Sequence, residues 1–108
     1  MSGTPVTVTD ATFEELVVRS DKPVLLEFWA TWCPPCRQLD PVLNALADER
    51  DDVVIAKINT DENPDVTVRH GVLSIPTLVV YHRGEAVRTL VGAKPRAALE
   101  RELSAVAA

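Results

Sequence analysis

Two cysteines, Cys33 and Cys36, stand two residues apart in the stretch EFWATWCPPCRQLDP, and they are the only cysteines in the 108 residues. Thiols at that spacing can make and break a disulfide, the second attacking a bond made by the first. They can also supply half of a tetrahedral metal site. A structural zinc site wants four ligands, commonly paired CxxC motifs or cysteines and histidines at short spacing. Here the pair stands alone, and the histidines, at positions 70 and 82, lie well outside finger spacing. No metal is expected, and His70 and His82 are read as surface or packing residues. One disulfide is too few for a secreted framework, so the cysteines are read as reactive rather than as a staple.

The flanking residues place this pair. Pro23 to Ala30, PVLLEFWA, is a nearly continuous apolar run of strand length, which suits a strand covered on both faces in a parallel sheet. Beyond Cys36, residues Leu39, Val42, Leu43 and Leu46 share one helix face, with Pro41 inside as an expected kink. Val53 to Asn59 reads as the next strand, completing a βαβ unit. The cysteines then follow the carboxyl end of a buried strand, where α/β sheets collect their chemistry. They also open a helix, whose free N–H groups and dipole favour an anion. Thiolate is the nucleophile, and a free cysteine with a pKa of about 8.5 is mostly thiol at neutral pH. The position therefore favours a reactive Cys33 at the mouth, with Cys36 inside the first turn. With Cys33 as N-cap, Pro34 and Pro35 occupy helical positions whose N–H groups have no intrahelical partner anyway. The first N–H available to a Cys33 thiolate is that of Cys36.

Val6 and Val8 alternate with polar residues as a short edge strand. Thr12 to Glu15 reads as a capping box, with Phe13, Leu16 and Val17 behind it. Asn63-Pro64 starts a short helix that Gly71 ends. Thr77 to Tyr81 and Ala86 to Val91 form an antiparallel hairpin around Arg83-Gly84. Leu99, Leu103 and Val106 mark the buried face of a last helix. The expectation is a single α/β domain over 1–108: βαβ then ββα, a central mixed sheet of four to five strands with helices on both faces. The net charge is -5, and the eight arginines and three lysines are scattered. That argues against nucleic acid or an anionic membrane as partner. No apolar run is long enough to span a membrane. MSGTPVTVTD has neither the basic nor the apolar region of a secretory signal. A cytoplasmic location, where thiols are kept reduced, is the expectation.

Four segments in order resemble the thioredoxin family: FWATWCPPC its active-site segment, AKINTDENP the segment that follows, SIPTLVVY its cis-proline strand and RGEAVRTLVGA its final hairpin and glycine loop. The matches run from about Val24 to Ala93. The resemblance implies a thioredoxin fold and a protein-disulfide reductase, with Cys33 as nucleophile and Cys36 as resolving thiol. It implies no bound cofactor beyond the Cys33–Cys36 disulfide, with NADPH acting only indirectly through a thioredoxin reductase. Disulfide-containing proteins would be the substrates, and the chain would be a monomer. Pro76 would be cis and face the cysteines, and Ile75 would hydrogen-bond an extended substrate segment. Trp32, Pro34, Val91, Gly92 and Ala93 would complete the substrate surface, while Trp29, Pro35 and Pro41 shape the site.

Read alone, Glu27 within the apolar strand is an outward-facing residue at a sheet edge. The resemblance instead makes it a buried acid that takes or relays the proton of Cys36, with Lys57 close by; the usual family residue there is aspartate, one methylene shorter. Most members also have Gly-Pro between the cysteines, where this chain has Pro34-Pro35. The rival readings are a same-fold oxidant or isomerase, a thiol oxidoreductase of cytochrome c maturation, and a redox-inactive binding subunit using Trp32, Ile75 and Val91.

Overall fold

Strand β2, Val24–Trp29, is buried along its whole length except at the half-buried Trp29, and the other elements are arranged to cover it. The structure, a computed structural model, describes residues 4–107. On one side β2 pairs in parallel with β3, Val54–Asn59, which pairs in parallel with the edge strand β1, Val6–Val8. On the other side it pairs antiparallel with β4, Thr77–His82, and β4 pairs antiparallel with β5, Glu85–Val91. The result is a mixed five-stranded sheet in the order β1-β3-β2-β4-β5. Helix α1, Pro34–Glu49, connects β2 to β3. Helix α2, Pro64–Arg69, precedes β4, and helix α3, Arg96–Ala107, follows β5.

The two-residue period of a strand sorts the core into two layers. Val24, Leu26 and Phe28 pack with Ala56, Ile58, Val79 and Tyr81 under Phe13, Val17 and Val66. Leu25, Ile55, Leu78 and Val80 face the other way, under Leu39, Leu43 and Leu46 of α1 and Leu99 and Leu103 of α3. Glu27 and Lys57 belong by parity to this second face and are direct neighbours across β2 and β3. The hairpin turn places Arg83 at φ 56° and Gly84 at φ 81°, the paired left-handed conformation that matches the twist of two antiparallel strands.

One cap differs from the sequence expectation, and a second, on a helix that starts at Asn63-Pro64 as expected, is supplied by a distant residue. The reciprocal box expected at Thr12 and Glu15 forms three residues earlier. Thr9 donates its N–H to Thr12 Oγ1 at 2.9 Å, and Thr12 donates its N–H to Thr9 Oγ1 at 3.2 Å. The following segment, Glu14–Val18, is wound as a π-helix, with the Arg19 N–H reaching Glu14 O at 3.0 Å. A threonine reaches the partner N–H as well as a glutamate does, and that moves the box.

The second case is α2. Asn63 stands at its N-cap but makes no side-chain cap bond there. Its Oδ1 instead accepts the N–H of Asp10 at 2.9 Å, and the Asp10 carboxylate accepts the N–H groups of Asp65 at 3.1 Å and Val66 at 2.9 Å. A carboxylate suits this place by charge as well as by hydrogen bonding. Asp10→Ala should therefore destabilise the fold by about 1–2 kcal/mol, and Asp10→Asn by less. Urea denaturation measures this, and an unchanged midpoint for Asp10→Ala would remove the cap from the account.

Candidate active site

Cys33 adopts an extended conformation, φ -102° and ψ 102°, and caps α1. Pro34 and Pro35 fill the first two helical positions, both exposed. The Cys36 N–H donates to Cys33 Sγ at 3.3 Å. This is the arrangement the spacing predicts: the prolines remove two donors that a helix start does not use, and the next amide is aimed at the first sulfur. Cys33 and Cys36 are joined as a disulfide with their Cα atoms 5.3 Å apart. Both are buried, at 2% and 1% exposure, so Cys33 lies deeper than a residue at an open mouth. They pack with Ala30 against Trp29 and Ile75. Among the described residues, no group of three or more His, Cys, Asp or Glu side chains could hold a metal ion.

The loop after α2 meets this pair from the other side. The Ile75–Pro76 peptide bond is cis. The Ile75 carbonyl oxygen lies 3.7 Å from Cys33 Sγ, and Pro76 O accepts the Gly92 N–H at 2.8 Å. Gly92 has φ 94°, a backbone that residues with a Cβ rarely adopt. Ile75 thus sits against the cysteines, Gly92 is bonded to Pro76 beside it, and Val91 pairs with Thr77, the residue after Pro76. Trp32 is 63% exposed, Val91 55% and Leu73 98%. Beside them runs an open groove of about 390 Å³, lined by Trp32, Thr60, Thr67, Val72, Leu73, Ser74 and Ile75. The indole Nε1–H of Trp32 donates to Asp61 Oδ2 at 2.8 Å. Asp61 in turn belongs to a tight turn in which Asn59 Oδ1 accepts the N–H groups of Asp61 and Glu62.

Glu27 is the buried acid beneath this surface. It is not at a sheet edge: β2 is central, and the residue is 0% exposed. Among the described residues, neither carboxyl oxygen has a hydrogen-bond partner. Burial pushes its pKa from 4.5 up to about 7, opposed by the charge of Lys57 and reinforced by that of Asp40. Lys57 acts on Glu27 through its field and not through a bond. Its Nζ donates to Asp40 Oδ1 at 2.7 Å and lies 4.6 Å from the centre of the Trp29 ring.

His70, by contrast, belongs to the fold. Its Nδ1–H donates to Val66 O at 2.8 Å, its Nε2 contacts the Tyr81 hydroxyl, and its ring packs against Phe13 and Phe28.

Sequence reasoning missed Asp40, Asp61 and Leu73. A signal existed for one of them, since Asp40 follows Cys36 by four residues and so shares its helix face. For Asp61 and Leu73 the contacts are set by how loops fold, and nothing in residue spacing marks them.

The raised pKa of Glu27 has a consequence for stability. Between pH 4.5 and about 7 the unfolded chain loses this proton while the folded chain keeps it, so stability falls as pH rises through that window. The loss from this residue is about 3 kcal/mol by pH 8. Denaturation at pH 4.5 and pH 8 should show that component in the parent chain and not in Glu27→Gln. Equal pH dependence in the two proteins would contradict a raised pKa.

Comparison with known proteins agrees with this geometry. The chain matches the thioredoxin family model over residues 4–105. It is 54% identical over 101 residues to a thioredoxin of Streptomyces clavuligerus, covering 94% of each chain. It is 50% identical over 102 residues to a thioredoxin of Mycobacterium tuberculosis, covering 94% of this chain and 88% of that one. It is also 46% identical over 106 residues to a bifunctional thioredoxin reductase/thioredoxin of Mycobacterium leprae, covering 97% of this chain and 23% of the larger protein. With the sheet order, the capped cysteine pair and the cis-proline loop opposite it, these matches establish that the chain belongs to the thioredoxin family.

Proposed function

We propose that the dithiol protein-disulfide reductase chemistry of this chain is divided between its cysteines, with Cys33 attacking and Cys36 resolving. The observation that carries the division is the Cys36 N–H directed at Cys33 Sγ. A charge-assisted hydrogen bond and the helix N-terminus both favour thiolate on Cys33, and Cys36 has no comparable position. The Cys33 thiolate attacks one sulfur of a substrate disulfide. That bond breaks, the other substrate sulfur leaves as thiolate and takes a proton from water, and a Cys33–substrate disulfide remains. Cys36 then gives its proton to the Glu27 carboxylate and attacks Cys33 Sγ. The Cys33–Cys36 bond forms as the second substrate sulfur leaves and is protonated. Two electrons pass from the protein to the substrate; the two substrate thiolates take their protons from water, and the protons of Cys33 and Cys36 go to solvent, that of Cys36 by way of Glu27.

Glu27 suits the proton step because a general base works best with a pKa near the operating pH, and its pKa is about 7. Along β2 the order Leu25, Glu27, Trp29 runs toward the start of α1, so Glu27 lies between the leucine layer and the cysteines. Trp32, Pro34, Ile75, Pro76, Val91, Gly92 and Ala93 form the surface that an extended substrate segment crosses, with backbone bonds to Ile75. Trp29, Pro35 and Pro41 shape the site, and Lys57 tunes Glu27.

The thioredoxin family works with a redox-active disulfide and no prosthetic cofactor. For this chain we infer that an NADPH-dependent thioredoxin reductase restores the dithiol. The joining of both activities in the name of the Mycobacterium leprae relative supports that pairing. The chain would act as a single-domain monomer in the cytoplasm. No helix among the described residues is long and apolar enough to cross a membrane.

Two variants test the division. Cys36→Ser should accumulate a covalent complex with a disulfide-bonded protein substrate, visible as a DTT-sensitive mass, and Cys33→Ser should form none. Trapping by Cys33→Ser would reverse the assignment. Glu27→Gln should slow the resolving step on the order of 10²-fold at pH 7, leaving the Cys33 attack nearly unchanged in stopped-flow measurements. An unchanged resolving rate would take Glu27 out of the mechanism.

A further inference from the structure

Glu27 and Lys57 are in direct register on β2 and β3 and face the same side of the sheet. Adjacent strands are about 4.8 Å apart, and a lysine stem is long and flexible, so the ammonium could reach the buried carboxyl. It does not. Both Glu27 oxygens lack a donor among the described residues, while Lys57 Nζ is held at 2.7 Å by Asp40 and over the face of Trp29. The holding residue is the more exposed partner, with Asp40 at 40% side-chain exposure against 21% for Lys57. Asp40 therefore draws the cation outward, toward solvent and away from the unpartnered acid.

We propose that Asp40 is a positioning residue for the proton transfer assigned to Glu27: by bonding the Lys57 ammonium it keeps that cation from closing on the buried carboxyl. The inference rests on the reading of Glu27 given above. Asp40 follows Cys36 by one helical turn on α1, and helical side chains lean toward the N-terminus. Its charge therefore sits just below the resolving cysteine.

The groups facing Glu27 are few. Strand β3 supplies Lys57, and α1 supplies Asp40 and, once reduced, the Cys36 thiol. From β4 comes Leu78, which carries no charge. Among the charged residues of α3, Arg96 bonds Glu49 and Glu100, and Glu102 bonds Arg88. Both effects of Asp40 have the same sign. Its own negative charge disfavours ionised Glu27, and its bond to Lys57 keeps away the cation that would favour it. Removing Asp40 therefore lets Glu27 ionise at lower pH, which leaves a carboxylate that is a weaker base toward Cys36.

The test is an NMR titration of the ¹³C-labelled Glu27 carboxyl in the oxidised full chain. Asp40→Asn should lower the midpoint by about one pH unit or more, and Asp40→Glu should stay nearer the parent chain. In a Lys57→Met background the same Asp40→Asn change should move the midpoint by less than half as much. A midpoint unmoved by Asp40→Asn, or moved equally in both backgrounds, would overturn the proposal, since Asp40 would then act by its own charge or not at all. Asp40→Ala serves the same comparison should Asp40→Asn fold poorly, and a fall in Tm alone would also count against it. The titration needs no turnover, so it can fail while Glu27→Gln still slows resolution. It can equally succeed while Glu27 proves idle in exchange.

Discussion

The structure depends on a strand with no wet face. β2 is paired on both edges and covered on both sides, so every polar atom it carries must be satisfied within the protein or carry a cost. Its backbone is satisfied by β3 and β4. The apolar side chains Val24, Leu25, Leu26 and Phe28 gain by burial, and the neighbours that bury them fix the order of the sheet. The same constraint fixes the site. A strand buried this fully can end only where the sheet ends, and α1 must start there to return over it. The two cysteines lie in that turn because it is where a strand terminus and a helix N-terminus coincide.

One residue breaks the rule, and its position gives the break a meaning. A carboxyl in the middle of this strand contributes nothing to packing that leucine would not do better. Its unpartnered oxygens are kept neutral at a pH where an exposed glutamate is ionised. Lys57, the cation that could have relieved it, is bonded to Asp40. Buried titratable groups with raised pKa values concentrate where protons are moved. Here the acid lies on the face that α1 covers, on the strand that leads into the cysteine turn. A fold can carry such a cost when the remaining core is as continuous as this one.

Much of this was legible in the sequence because it follows from local rules. The apolar run from Pro23 to Ala30 marks β2, the leucine spacing after Cys36 marks α1, and Arg83-Gly84 marks the hairpin. Cys33 as N-cap and the single donor from Cys36 follow from two prolines and helix geometry alone. The residue alone leaves Glu27 indistinguishable from an edge residue, because one residue cannot tell how many strands lie on either side; its burial, expected from the family resemblance, is what the structure has. The cap on α2 was illegible too, since Asp10 is 55 residues from the nearer of the two amides it serves. Strand register correctly sets Lys57 beside Glu27, yet register fixes where a lysine starts and not where its ammonium goes. That end is decided by Asp40, a residue of another element. The cis bond before Pro76 was available only through family resemblance, because most X–Pro bonds are trans.

The prolines at the centre of the motif leave the first sulfur a single amide donor from its own turn. With glycine in the first gap position, its N–H would be a further donor near the first sulfur. Pro34 and Pro35 offer none, so the Cys36 amide is the one donor of that turn on Cys33 Sγ. The same bond ties the backbone of one cysteine to the side chain of the other. Cys36 meanwhile lies on the buried face of α1, in the same apolar cluster as Cys33. The two sulfurs thus share an apolar setting and differ in position: Cys33 caps the helix and receives the amide, while Cys36 lies inside its first turn. Environments that push two like groups apart assign them different tasks. In this chain the difference comes from position along one helical turn.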